Sequence, residues 1–362
     1  MRSQLMTATE ASSADETSDL LTLCKAVAES LRLDILRVLQ SESFGVMELC
    51  HIFDMPQPGM SHHLKILHLA GLLKTRREGN SIFYRRSLIA AADPLADLRK
   101  SLFDAIDQQP LGPVVIKRIA TIHQERANNS RLFFQRNADK FKENQDLIAR
   151  FEQYAGCIQD LISNDIINVS ANLLISEDNA EGQGNAHGPS GTHRAPKKTV
   201  LEIGPGDSDL LPMLSKQFDE VLALDNSAEM LDLARRKAAE NACHNVSFYP
   251  GELADLPDTV TNPDLIVLNM VLHHMASPSS VFSQAGASLK SNGAILIIDL
   301  CAHNQDWVRD ICGDLWLGFE PQDMDNWAAQ AGFEPGQNLF LGLKNGFQIQ
   351  MKIYHLNNVR ML

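Results

Sequence analysis

The chain has 362 residues, 44% hydrophobic and 21% charged, an ordinary globular composition that excludes a wholly disordered polypeptide and suggests two domains, or three small ones. Its formal charge of −13 is uneven: residues 199–362 carry 9 basic against 21 acidic side chains, and residues 20–100 carry 11 against 8, so the early region can approach a polyanion and the late one is repelled by it. Six cysteines without CxxC or CxC spacing argue against a disulfide framework or zinc knuckle, no apolar run reaches the roughly 20 residues of a membrane span, and the polar first residues lack a signal core, so a cytoplasmic protein without membrane contact is expected.

Residues 1–18, rich in Ser, Thr and Ala, are expected to form a flexible tail. LRLDILRVLQ (31–40) and VMELCHIF (46–53) have amphipathic helical spacing. A break at Met55-Pro56-Gln57-Pro58-Gly59 leads into MSHHLKILHLAGLL (60–73). Helix, tight turn and second helix make a helix-turn-helix, with Leu64, Leu67 and Leu69 available for its core. The opposite face and N-terminal end present Gln57, Ser61, His62, His63 and Lys65, which can donate to base edges and phosphates in a major groove. Ser61, His62 and Lys65 are preferred as contacts, because His63 can instead brace the helix packing.

LLKTRREGNSIFYRR (72–86) reads as two strands around the Gly79-Asn80 turn. Lys74, Arg76, Arg77, Arg85 and Arg86 lie on it against only Glu78. A basic run alone is equally a solvated face; beside a recognition helix it reads as a wing that grips the phosphate backbone. Candidate DNA contacts are therefore Gln57, Ser61, His62, His63, Lys65, Arg76, Arg77 and Asn80.

Ser61, His63, Leu64, Leu67, Ala70, Gly71, Leu72, Arg77, Glu78 and Gly79 resemble the SxHLxxLxxAGLxxxxREG core of the ArsR/SmtB family of winged-helix transcriptional regulators. The resemblance spans roughly residues 19–105, in a domain expected over 19–107, and implies a homodimer on an inverted-repeat operator, with helices near 20–30 and 93–107 packing the dimer. Where metal-responsive members carry paired cysteines, this chain has Cys50 and Ile52, and the helix after the wing has no His. Cys50 and His51 would supply two ligands where soft-metal sites usually need three or four. Cys50 is expected to be a buried thiol, and no metal site is expected.

Residues 108–175 read as a helical connector or cap, with apolar positions Leu132, Phe133, Phe141, Leu147, Ile148 and Phe151. Residues 176–198, rich in Gly, Ser, Asn and Pro, read as a flexible linker. Beyond it, β and α signals alternate: TVLEIG (199–204), EVLALD (220–225), NVSFYPG (245–251), DLIVLNMVLHH (264–274) and AILIIDL (294–300) as strands, LLPMLSKQF (210–218) and AEMLDLARRKAAENA (228–242) as helices. Nearly continuous apolar strands between amphipathic helices mean a mostly parallel sheet covered on both faces. The expected fold is a mainly α winged helix-turn-helix followed by an α/β Rossmann-like domain over 199–362.

Gly204 and Gly206 sit at the end of the first of these strands, where a tight turn lets backbone approach a ligand. Asp225 ends the next strand, 21 residues after Gly204, placed to accept hydrogen bonds from two ribose hydroxyls. The turn EIGPGDS departs from GxGxxG and, with GELADLP (251–257), DLIVLNMVLHHM (264–275) and KSNGAILIID (290–299), is similar to class I S-adenosylmethionine-dependent methyltransferases. That resemblance implies a seven-stranded sheet and S-adenosylmethionine or S-adenosylhomocysteine held by Glu202, Gly204, Pro205, Gly206, Asp225, Asn226, Met230, Glu252, Leu253 and Asn269. Ser208 in the glycine loop and Glu252 in place of the usual Asp depart from the pattern. His273 and His274 are candidate general bases by side-chain type, or structural caps of the strand end.

RLFFQRNADKF (131–141) and DLWLGFEPQDMDNWAAQAGFEPG (314–336) resemble segments of ArsR-type heads fused to methyltransferase-like bodies. The leading expectation is a regulator of methionine or methyl-cycle genes whose body senses the adenosyl ligand. A working small-molecule methyltransferase with an autoregulatory head stands second, and a methyltransferase-like dimerisation scaffold third.

Overall fold

The computed structural model describes residues 18–78, 81–90, 92–167, 197–257, 260 and 262–357. The expected tail up to residue 17, the Gly79-Asn80 turn and residues 176–196 of the expected linker lie outside the described residues. The chain divides into two units, Met1–Glu125 and Arg126–Leu362.

In the first unit, α1 (18–27) and α2 (Ser30–Val38) precede a short β1 (Phe44–Gly45), then α3 (Val46–Phe53) and α4 (Gln57–Leu69). Helix α4 starts three residues earlier than the Met60 expected, because Pro58 falls in its first turn, where a missing N–H costs nothing. Strands β2 (Leu73–Glu78) and β3 (Ser81–Arg86) follow. They pair antiparallel from Leu73↔Arg86 to Glu78↔Ser81, with β1 on the outer edge of β3. Helix α5 (Ala96–Asp107) and residues 113–125 of α6 (Pro113–Asn137) complete the unit.

Its core joins Leu23, Ile35, Leu36, Phe44, Leu49, Ile52, Met60, Leu64, Leu67, Phe103 and Ile122. Leu69 does not join them: it is 69% exposed, because it ends α4 on the face opposite Leu64 and Leu67. Cys50 is buried, and burial raises its thiol pKa.

The second unit contains α7 (Phe141–Ile148) and α8 (Ala155–Leu161), then β4 (Thr199–Ile203), α9 (Leu210–Gln217), β5 (Glu220–Asp225), α10 (Ala228–Glu240) and β6 (Val246–Pro250). β7 (Leu265–Asn269), α11 (Pro278–Ser288), β8 (Ala294–Leu300), α12 (Trp307–Ile311), α13 (Pro321–Gln330), β9 (Phe333–Gly342) and β10 (Gln348–Leu356) follow. The sheet order is β6-β5-β4-β7-β8-β10-β9. Pairs from β6 to β8 are parallel and the last two antiparallel.

β4, β7 and β8 are buried along their whole length, as apolar strands with both faces covered must be. After β4 the chain adds β5 and β6 on one side, then crosses to β7 on the other. The crevice at the carboxyl ends of β4 and β7 is thus the topological switch point. β7 stops at Asn269, five residues short of the strand expected through His274. Met270 takes a left-handed φ of 55°, and Leu272–His274 form a single 3-10 turn held by Asp299.

Candidate nucleic-acid interface and ligand pocket

The first unit presents its polar residues as the helix period requires. Met60, Leu64 and Leu67 face inward, which leaves Gln57, Ser61, His62 and Lys65 exposed along one side of α4. His63 is half-buried, with Nδ1 3.6 Å from Glu29 Oε2, and so braces α4 from within the unit. On the hairpin, Lys74 and Arg77 are exposed, while Arg76 is ion-paired with the buried Glu78.

Arg86 departs from the expected wing. It is buried, donates from Nη2 to Asp107 Oδ1 at 2.7 Å and to the Leu36 carbonyl at 2.7 Å, and stacks 4.4 Å above the Phe103 ring. It ties hairpin, α2 and α5 together rather than reaching outward. The sequence could not show this, because Arg85 and Arg86 differ only in which side of β3 they occupy, and the inner side is decided by the packing of α2 and α5.

In the second unit the glycine loop closes the end of β4. Gly204 has φ 67° and donates to the Leu224 carbonyl at 2.8 Å; a Cβ there would lie 2.4 Å from Val271 Cγ2. Gly206 has φ 48°, and a Cβ would meet Met230 Cε at 3.0 Å and Phe141 Cε1 at 3.1 Å. Only glycine fits either place without displacing its neighbours. The Ser208 hydroxyl acts locally, its Oγ accepting from Leu210 N at 3.0 Å at the start of α9 and from Asn269 Nδ2 at 3.3 Å. The loop, Asn269 and α9 are thereby tied together.

Glu202, on β4, is 1% exposed, and neither of its carboxylate oxygens has a hydrogen-bond partner among the described residues. Burial, reinforced by the charge of Asp225, pushes its carboxyl up to about 8. Asp225 ends β5 and is pushed up to about 6 by burial, against the Ser227 N–H it accepts at 2.9 Å. Two acids at the mouth of a glycine loop, without cationic partners among the described residues, suit a ligand that brings hydroxyl donors and an ammonium group.

The remaining expected ligand contacts divide. Pro205, Met230 and Leu253 are buried, Asn269 is 9% exposed with Oδ1 lacking a hydrogen-bond partner among the described residues, and Asn226 and Glu252 are exposed. The cap brings further side chains to the glycine loop, two of them from the 131–141 segment. Phe141 lies over Gly206, Phe134 packs edge-on against Phe141 with centroids 5.7 Å apart, and Tyr154 is buried beside Asn269. The aromatic run 131–141 carries Phe134 and Phe141 in the sequence, and Tyr154 lies outside it.

His273 and His274 are both buried. His273 Nδ1 lies 2.7 Å from Asp299 Oδ1, and its backbone N–H donates to the same carboxylate at 3.2 Å. Burial works to lower the His273 pKa, but Asp299 and Asp314 outweigh it and hold the imidazole at about 9. His274 bonds the Gly313 carbonyl through Nδ1 at 3.2 Å, and burial and the neighbouring His273 drive its pKa well down. Neither Asp299 nor Asp314 was singled out from the sequence, since 25 to 41 positions separate them from the histidines.

Comparison with known proteins matches residues 29–75 to the family described as bacterial regulatory protein, arsR family, and residues 195–332 to a methyltransferase domain. A 63-residue stretch is 46% identical to the HTH-type transcriptional regulator MJ1325 of Methanocaldococcus jannaschii, covering 17% of this chain and 68% of that protein. A 109-residue stretch is 29% identical to an arsenite methyltransferase of Halobacterium salinarum, covering 29% of this chain and 28% of the relative. The chain thus spans well under half the length of that enzyme. The YcgJ crystal structure from Bacillus subtilis aligns with TM-score 0.38 at 15% identity, over 44% of this chain and 92% of that one. No helix among the described residues is long and apolar enough to cross a membrane.

Proposed function

Because the chain belongs to the ArsR family of bacterial regulatory proteins and carries a methyltransferase domain, we propose that it is a transcriptional regulator whose second unit binds S-adenosylmethionine or S-adenosylhomocysteine as effector. The methionine or methyl cycle supplies the target genes in this reading. The observation that carries it is the pairing, in one polypeptide, of an exposed polar recognition face with a buried acidic glycine-loop pocket. Gln57, Ser61, His62 and Lys65 reach base edges and phosphates, and Arg77 and Lys74 grip the backbone. Exposed Leu20 and Leu21 on α1 and Leu98 on α5 supply an apolar face for a second copy, as a two-fold operator requires.

In the pocket, Asp225 accepts from the ribose hydroxyls, Leu253 and Met230 line the adenine side, and Glu202 and Asn269 meet the amino-acid end of the ligand. The two candidate ligands differ by one methyl group and the positive charge on sulfur. The sign of the effect on DNA follows from which form the DNA-bound state prefers.

The alternative is an active small-molecule methyltransferase with an autoregulatory head. Methyl transfer needs chiefly an aligned acceptor in a dry site, yet His273 and His274 are walled in and already engaged by Asp299 and Gly313. That favours sensing over turnover. Operator binding by the full chain, measured with and without each adenosyl ligand, tests the proposal. A ligand-dependent change in affinity of about 5- to 150-fold is expected. Unchanged operator affinity with saturated pockets, together with methyl transfer from labelled cofactor to a small acceptor, would overturn it.

A further inference from the structure

Beyond the carboxyl ends of β7 and β8, His273, His274 and Asp314 come together, with one donor atom from each no more than 4.8 Å from the others. All three are buried, at 0%, 5% and 2% exposure. The backbone fixes their relation. The His273 carbonyl accepts from Leu315 N and Trp316 N, both at 3.1 Å, which pins the segment carrying Asp314 against the histidine turn.

Each imidazole is oriented by a second group. His273 Nδ1 faces Asp299 Oδ1 at 2.7 Å, and His274 Nδ1 faces the Gly313 carbonyl at 3.2 Å. In a neutral ring that donates through Nδ1 to a carboxylate or carbonyl, Nε2 carries the lone pair, the arrangement that metal-bound histidines show, and the second proton of His273 leaves to solvent as the ion binds. Both Nε2 atoms are buried and make no hydrogen bond to a described residue, and Asp314 Oδ1 lies 3.8 Å from His273 Nε2.

Two nitrogens and one carboxylate are too few oxygens for calcium or magnesium and match the preference of first-row transition ions.

We propose that His273, His274 and Asp314 bind a divalent first-row transition-metal ion, with Asp299 and the Gly313 carbonyl holding the two rings in place. Three protein ligands leave a fourth position open, as at catalytic rather than structural zinc. Ligands about 2.0 Å from a tetrahedral ion stand about 3.3 Å apart, so the ion draws the widest pair in by about 1.5 Å. Phe134 packs edge-on to His274 with centroids 4.8 Å apart, and the Phe133 ring leaves no room for a Cβ on Gly313. These rings pack directly against the set.

The test uses the full chain, stripped with chelator and titrated with Co²⁺, then Zn²⁺. Expected are about one equivalent of cobalt, visible d–d absorption of a low-coordinate site without thiolate charge transfer, and displacement by zinc. His274→Ala and Asp314→Asn lose the absorption; Asp314→Asn preserves shape, and circular dichroism verifies the fold of each. Asp299→Asn weakens zinc binding by about 10- to 100-fold, and Cys50→Ser leaves it unchanged. Asp225→Ala also keeps the cobalt spectrum while losing the adenosyl ligand, which separates this site from the pocket. An absent spectrum, one carrying thiolate charge transfer, or one that survives both His274→Ala and Asp314→Asn overturns the proposal.

Discussion

The two units place their working side chains in opposite environments. On α4 and the hairpin, Gln57, Ser61, His62, Lys65 and Arg77 stand in solvent, supported by an apolar inner face. In the second unit, Glu202, His273, His274, Asp299 and Asp314 are withdrawn from solvent almost completely. A polyanion is met by mobile solvated donors whose energy is shared over many contacts. A small ligand or ion is met by few groups, each preorganised and each costly to leave unpaired. Substitutions in the first unit should therefore act in small steps on affinity, and those in buried positions of either unit should act sharply.

Arg86 tests this most severely, because it lies in the DNA-reading unit but in a buried environment. Arg86→Ala strands Asp107 and the Leu36 carbonyl, and thermal and denaturant unfolding should show a loss of about 3–5 kcal/mol. An unchanged melting temperature with weakened DNA binding would return Arg86 to the wing's outer face.

Asp225→Ala follows in size. Loss of charged hydrogen bonds to two hydroxyls should weaken adenosyl binding by about 100-fold in calorimetry, with operator binding by the unliganded protein intact. Retained ligand response would sink the pocket assignment.

Glu202→Gln separates burial from charge. With the carboxyl raised to about 8 in the folded chain against an ordinary 4.5 when unfolded, the wild type is protonated when folded and ionised when unfolded between those values. Its stability therefore falls as pH rises from about 4.5 to about 8, and the substitution removes that fall. The stability gain should be absent near pH ~4 and grow to the order of 2–3 kcal/mol by pH ~8. A pH-independent difference would place Glu202 in contact with solvent or a cation.

Lys65→Ala should have the smallest effect. Operator affinity should drop by about tenfold or less, the salt dependence should lose about one unit of slope, and stability should stay within about 0.5 kcal/mol. A sequence-selective loss at one base position would instead make Lys65 a base reader.

Much of this architecture can be read from one dimension. The helical period in 46–53 and 60–69, the hairpin around residues 79–80, the apolar runs at 199–203, 220–225 and 294–300, and the spacing of Gly204, Gly206 and Asp225 are local patterns, and local patterns follow from backbone geometry and burial of one face. What local pattern could not carry was the side of a strand or helix that packing selects. Arg85 from Arg86, and Leu69 from Leu67, differ by their neighbours in space rather than in sequence. The same holds for the strand expected through His274, which ends at Asn269 because Asp299, on a different strand, draws His273 into a turn.

The amino-acid order by itself determined that one polypeptide joins a cationic winged head to a Rossmann-like body with a glycine loop, since both rest on short-range periodicity and turn chemistry. Tertiary structure alone decided that two adjacent histidines meet Asp314 from about 40 residues away and that Glu202 is left without a partner among the described residues. Burial and charge pairing depend on which elements the sheet order sets side by side, and no spacing along the chain encodes that.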